Sequence, residues 1–209
     1  MLDNTVVSIV DDDRDVRLSL ESLLTGQQFS TRCYASAEEF LRSFDPTTPG
    51  CLLLDVRMPG MDGMKLQSVI RDRGWKTSVI IMTGHADVRM AVEALSAGAS
   101  AFIEKPFRRA ELIQNIERAI AQNLETCEQH VRWQELEVLF QSLTPRESEI
   151  VDLVVSGLMT KQIAAELHIG ERTVETHRRN LMRKLHANSV AALVNLRLEH
   201  RSLQGSPER

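Results

Sequence analysis

Three consecutive aspartates, Asp11, Asp12 and Asp13, follow the apolar run TVVSIV, and a fourth, Asp55, ends the run CLLL. Thr83 closes SVIIM, and Lys105 lies just beyond ASAFI, ahead of Pro106. Carboxylates, one hydroxyl and one ammonium, each placed behind a short apolar run, form a donor set for a hard divalent cation and a phosphoryl group. Magnesium takes oxygen ligands, keeps several waters and shares itself with phosphate oxygens. Lysine and threonine suit the oxygens that remain. Acids at a helix start also suit the helix dipole, so one of the three leading aspartates is expected to cap. The D-x-D-x-D spacing does not make a calcium loop, because Val16 stands where the glycine should be and Ser22 where the bidentate glutamate should be.

These residues need elements that bring them to one place. The runs at 5–10, 29–34, 51–54, 78–82 and 99–103 read as strands, and helical patterns separate them. Gly26 and Gly98 read as helix stops, and Ser36 with Glu39 as a capping box. Strands too apolar for a half-exposed sheet, alternating with helices, imply a doubly wound, five-stranded parallel sheet covered on both faces. Ligands of such sheets sit beyond the carboxyl ends of the strands, where all these polar residues stand. The segment MPGMDG behind Asp55 supplies a turn that lets the backbone pass close to the site and start the next helix.

The chain has 209 residues, enough for two small domains. No apolar run approaches the roughly 18 residues needed to span a membrane. The acidic start MLDNTVVSIVDDD lacks the features of a signal peptide, so a cytoplasmic protein without membrane contact is expected. Three widely spaced cysteines, Cys33, Cys51 and Cys127, fit small buried hydrophobes in a reducing compartment. Net charge is −4, unevenly spread. Residues 1–122 carry 14 Lys/Arg against 17 Asp/Glu, and residues 123–140 carry 1 against 4. Residues 141–209 reverse the sign with 10 against 8, which hints at a second task.

From Phe107 to Thr144 there is neither glycine nor proline. A long helix is expected there, a semi-rigid arm rather than a soft tether. Asn123, His130 and Gln134 interrupt any clean pairing heptad along it. Beyond it the pattern is all helical, with four helices. Thr144-Pro145-Arg146-Glu147 forms a capping box with proline at the first helical position. A helix, a tight turn at Gly170 and the basic ERTVETHRRNLMRKL make a helix-turn-helix. In that last helix Val174, Leu181, Leu185 and the stem of Arg178 share one face. Arg172, Thr176, Arg179 and Arg183 share the other, with Glu175 adjoining. Arginine, glutamate and threonine are side chains that read base edges in a major groove. Lys161 and Lys184 are placed for phosphates.

IVDDD, LLLDVRMPGMDG, MTGHAD and FIEKPF, in that order, resemble the receiver domain of two-component response regulators, most closely the FixJ-like subgroup. LTPRESEIVDLVVSG, TKQIAAELHI and RTVETHRRNLMRKL resemble the LuxR-type DNA-binding domain. The resemblance implies a flavodoxin-like receiver at 1–122, a linker helix at 123–142 and a helix-turn-helix domain at 143–209. It implies that Asp55 accepts phosphate from a sensor histidine kinase. Asp11, Asp12, Asp55 and the backbone carbonyl of Arg57 would hold magnesium. Thr83 and Lys105 would contact the phosphoryl oxygens, Phe102 would change rotamer with Thr83, and the Lys105–Pro106 peptide would be cis. Arg57 and His85, two residues past Asp55 and Thr83, are expected to border the path of attacking water and tune phosphate lifetime.

By the same resemblance Glu175, Thr176 and Arg179 face bases, and SVAALVNLRL pairs two copies on promoter DNA. The expected function is a phosphorylation-switched transcription regulator acting on RNA polymerase, activating rather than repressing, and paired when phosphorylated. Beyond the receiver's own self-phosphorylation and autodephosphorylation, no enzyme is expected. An aspartate-phosphate phosphohydrolase would need a second acid where Arg57 stands. Gly170 replaces the family's usual capping serine, and Glu175 its frequent lysine, which leaves base preference open.

Overall fold

The structure, a computed structural model, describes residues 5–84 and 87–204. It divides into two compact units, Met1–Cys127 and Glu128–Arg209. In the first, five strands run β1 Val6–Val10, β2 Ser30–Tyr34, β3 Gly50–Asp55, β4 Ser78–Thr83 and β5 Ala101–Glu104. All pair in parallel, in the order β2-β1-β3-β4-β5. Between them lie α1 Arg14–Thr25, α2 Ala37–Ser43, α3 Gly63–Asp72 and α4 Val88–Ser96, and α5 follows as Arg109–Gln141. The expected flavodoxin-like sheet is therefore present.

The central strand β3 is apolar from Cys51 to Leu54 because both sheet faces are covered there. Cys51 and Leu53 point into one core with Leu24 and Ile116, whereas Leu52 and Leu54 point into another with Phe40 and Leu66. At about 25 cal/mol per Å² of apolar surface, burial on both faces favours an unbroken apolar run in β3 up to Asp55 at its end. Cys51 is one of these core residues, and burial pushes its thiol up to about 12. Burial likewise raises Cys33, with Glu21 adding to the effect, and it raises Cys127. All three are free thiols held in their neutral form.

Several start and stop signals act as expected, and two act differently. Asp13 is the leading aspartate that caps: its side chain accepts from the amides of Asp15 and Val16 at the start of α1. Gly98 follows α4 with φ +94, and Ala99 N–H donates to the Ala94 carbonyl, closing the helix in a left-handed turn. Gly26, by contrast, keeps a helical φ of −63, and the left-handed residue is Gln28 at φ 65. Ser36 caps the Glu39 amide, but the Glu39 carboxylate accepts from Ala35 N–H at 2.6 Å instead of closing the box on Ser36.

Asn123, which broke the pairing heptad, is 3% exposed. It accepts from Gly50 N–H at 2.8 Å and donates to the Lys76 carbonyl, so it ties α5 to the starts of β3 and β4. The polar interruption thus belongs to the core of the first unit.

The second unit contains α6 Pro145–Val155, α7 Thr160–Glu166, α8 Glu171–Lys184 and α9 Val190–Gln204. Thr144 and Glu147 complete the expected capping box. Ile150, Ile163, Val174, Leu181 and Leu193 form the core, against which Leu139 and Phe140 of α5 pack. His200 is 3% exposed, stacks on Phe140 at 4.4 Å and places Nε2 2.7 Å from Glu137. Among the described residues no helix is long and apolar enough to cross a membrane.

Candidate functional site

The strand order reverses between β1 and β3, and there the polar strand-end residues meet. Asp11 follows β1, while Asp55 is the last residue of β3 and Thr83 the last of β4. All three are buried. Lys105 follows β5, where its amide donates to the Thr83 carbonyl at 2.7 Å and its peptide to Pro106 is cis. Its Nζ donates to Asp11 Oδ2 and to Asp55 Oδ1, each at 2.6 Å. The remaining oxygens are also engaged: Asp11 Oδ1 accepts from Asp13 N–H at 2.9 Å, and Asp55 Oδ2 from Arg57 N–H at 2.6 Å.

This electrostatic arrangement is tight. Burial works against the Lys105 ammonium, but the two carboxylates outweigh it and hold the group above the ordinary lysine range. Burial is also the largest influence on Asp11 and raises its carboxyl, against the pull of Lys105. Among the described residues Lys105 is the one cation paired with these two buried acids. Asp12 is exposed beside them, and among the described residues no hydrogen bond involves its side chain. Phe102 is half-buried on β5 and packs against the core that holds Leu54 and Ile81. Arg57 is exposed, and an open cleft of about 600 Å³ lined by Arg57, Met58, Met64 and Met90 adjoins the loop after Asp55. His85 lies outside the described residues.

The loop explains why turn-formers follow Asp55. Gly63 N–H donates to the Val56 carbonyl at 3.0 Å. A Cβ on Gly63 would stand 2.2 Å from the Asp55 carbonyl oxygen. Glycine is required here by close approach of two backbone segments. Two supports escaped the sequence reading. Glu38 of α2 accepts from Met61 N–H at 3.1 Å, across 23 residues of chain. Arg17 Nη1 donates to the Asp11 carbonyl at 2.7 Å. Neither carries a local motif that could have announced it.

In the second unit, Val174, Leu181 and Leu185 face the core. Arg178 Nη1 donates to Thr160 Oγ1 at 2.9 Å, which explains its place on that face. Arg172, Glu175, Thr176, Arg179 and Arg183 are all exposed on the remaining surface of α8, and Lys161 is exposed in the first turn of α7. Thr176 Oγ1 donates to the Arg172 carbonyl, so its methyl is free to face outward. Lys184 is not brought into this row. Its ammonium donates to Glu147 Oε2 at 2.6 Å and to the Ser142 carbonyl at 3.0 Å.

The comparisons agree with both halves. Residues 7–117 match the family described as "Response regulator receiver domain", and residues 141–196 match "Bacterial regulatory proteins, luxR family". The transcriptional regulatory protein FixJ of Rhizobium meliloti is 43% identical over 199 residues, covering 95% of this chain and 97% of that protein. The response regulator protein TodT of Pseudomonas putida is 39% identical over 192 residues, covering 92% and 85%. Among solved structures, that of the response regulator StyR superposes with a TM-score of 0.84 at 41% identity, covering 94% of this chain and 99% of that one. Full-length FixJ from B. japonicum gives 0.57 at 36% identity, covering 95% and 98%. The chain belongs to the response regulators that join a receiver domain to a LuxR-type DNA-binding domain, the FixJ-like transcriptional regulators.

Proposed function

We propose that Asp55 is the phosphoacceptor and that its phosphorylation by a cognate sensor histidine kinase controls promoter binding by α8. One observation carries this reading: Lys105 bridges Asp11 and Asp55 at the point where the strand order reverses. A buried carboxylate oxygen attacks phosphorus as the bond to the donor imidazole breaks. For this, Asp55 must release one oxygen, either from Lys105 or from Arg57 N–H. The incoming phosphoryl group helps, because it carries roughly −1.5 to −2 charges once transferred and draws the ammonium to itself. Thr83, at the end of the neighbouring strand, is placed to hold another phosphoryl oxygen, and Phe102 follows its movement.

The donor set fits magnesium, for which one or two carboxylates with waters and phosphate oxygens suffice. Asp11, Asp12, Asp55 and the Arg57 carbonyl would hold the ion. When bound, it neutralises developing charge on the phosphoryl oxygens. Arg57, exposed two residues past Asp55, tunes the lifetime of the acyl phosphate by controlling the approach of water.

Residues 1–122 act as the receiver, 123–142 as the linker helix and 143–209 as the DNA-binding domain. Lys161, Arg172 and Arg183 engage phosphates, while Glu175, Thr176 and Arg179 face bases. Pairing of phosphorylated chains is supported by an apolar row on α4, where Val88, Val92 and Leu95 are 80%, 58% and 50% exposed. On α9, exposed Val190 and Leu198 support pairing on DNA. The chain thereby presents two helices to half-sites about one turn apart. It acts in the cytoplasm as an activator that delivers promoters to RNA polymerase.

The test compares DNA affinity of wild type and Asp55→Asn, each with and without an acyl-phosphate donor and magnesium. Only phosphorylated wild type should gain affinity, and sedimentation should show it paired. Equal affinity in all four samples defeats the reading.

A further inference from the structure

Lys184 ends α8 with a charge that DNA phosphate would attract, yet its ammonium is committed inside its own unit. Glu147, its partner, is 3% exposed, and a buried carboxylate without a cation is costly. Lys184 is the one cation that the described residues give it. The same Oε2 accepts from Thr144 N–H at 2.9 Å, so the ion pair and the capping box of α6 share an oxygen. Lys184 also donates to the Ser142 carbonyl just past the end of α5, where helix carbonyls lack partners and the dipole favours a cation. One ammonium thus fastens the end of α8 to the end of α5 and the start of α6.

Neighbouring residues repeat the pattern. Arg146, one position before Glu147, donates to the Leu167 carbonyl at the end of α7 at 2.6 Å, and Arg178 of α8 reaches Thr160 at the start of α7. Both helices of the helix-turn-helix are anchored by charged side chains. Lys184 and Arg172 are 12 positions apart on α8, about 18 Å along the axis. A tilt of about 5° at the fastened end would carry the exposed reading end by roughly 1.5 Å, more than the tolerance of a hydrogen bond near 2.9 Å.

We infer that Glu147 and Lys184 are positioning residues that hold the recognition helix at the angle needed for base reading, and that Lys184 makes no phosphate contact. This rests on the DNA-binding reading above. A phosphate-contacting lysine weakens binding alike on every sequence and lowers the slope of log affinity against log salt by about one when removed. A positioning residue instead costs sequence discrimination and leaves the slope unchanged.

The experiment uses the full chain with Lys184→Met, Glu147→Gln and both together, at a temperature where circular dichroism shows them folded. Binding is measured across a salt series to a duplex selected by wild type from a random pool and to a scrambled duplex. Each single variant should bind the selected duplex about tenfold more weakly and the scrambled one within about twofold, with the wild-type slope. The double variant should lose no more than the weaker single. A slope lowered by about one in Lys184→Met alone, with both duplexes weakened alike, overturns the inference. Unchanged discrimination in every variant overturns it equally, since the pair then serves stability alone. If a single variant fails to fold, the double variant decides by the same two readouts, because it leaves no unpaired buried charge. A wild type that binds neither duplex removes the DNA-binding reading, and this inference with it.

Discussion

Replacing Gly63 with alanine adds one methyl group where two backbone segments touch. In most helices that exchange stabilises by about 0.5–1 kcal/mol, because alanine loses less chain entropy. Here the new Cβ would lie 2.2 Å from the Asp55 carbonyl oxygen and 3.0 Å from Val56 Cα. Retreating to an oxygen contact of about 3.0 Å requires a shift of ~0.8 Å, and both neighbours are backbone. Overpacking of this kind costs about 1–3 kcal/mol. The net expectation is a loss of about 1–2 kcal/mol, roughly 4–8 °C in Tm for a domain of this size. The displaced residue is Asp55 itself, and misplacement of a reacting group by about 1 Å lowers rates by up to ~100-fold. Calorimetry reads the first effect, and labelling from an acyl-phosphate donor with magnesium the second. Gly26→Ala is the control: φ there is −63 and the nearest atom lies 3.4 Å from the added Cβ, so it should stabilise by about 0.5 kcal/mol. If Gly63→Ala matches Gly26→Ala in stability and wild type in labelling, the close-approach argument is wrong.

Three further outcomes are expected. Lys105 has a folded pKa above its ordinary 10.5, so its stabilisation is complete below that value and fades as pH rises through the folded one. Glu147 runs the opposite way: burial raises its carboxyl, but Lys184 and the Thr144 cap prevail and lower it below 4.5. Its contribution is present above pH 4.5 and disappears as pH falls through the folded value. Urea midpoints against pH should lose the alkaline limb in Lys105→Met and part of the acid limb in Glu147→Gln; curves parallel to wild type would contradict both assignments. Asn123→Ala strands the Gly50 amide and the Lys76 carbonyl and should destabilise the first unit by about 2–4 kcal/mol, whereas a loss under ~0.5 kcal/mol in denaturant would show the clamp to be idle. Finally, Arg132→Ala breaks half-exposed pairs with Glu199 and Glu135 and should cost less than ~1 kcal/mol. His200→Ala removes a buried ring stacked on Phe140 and should cost more, and the reverse order in thermal melts would refute the burial argument.

Strand positions and helix faces were legible in the sequence because they follow from period. β3 reads as apolar from Cys51 to Leu54, and both of its faces are indeed covered. Val174, Leu181 and Leu185 recur at helical spacing, and all three are buried. The candidate site was legible for a related reason: a parallel sheet places every strand end on one edge, so residues that follow strands must converge. Helix stops were less legible, as Gly26 shows. Gln28 takes the left-handed turn there because packing of the next segment, and not local preference alone, decides where the helix ends.

The fold class, the two-part organisation and the set of acids, hydroxyl and ammonium that meet above β1 and β3 follow from residue type and order along the chain. Tertiary structure alone decided what each long polar side chain grips. Lys105 joins acids 94 and 50 positions away, Asn123 spans two strand starts, and Lys184 turns inward to Glu147 rather than joining the exposed row of α8. The partner of a flexible side chain is set by distance through space, and that distance arises from strand register and helix packing, which periodicity along the chain does not carry.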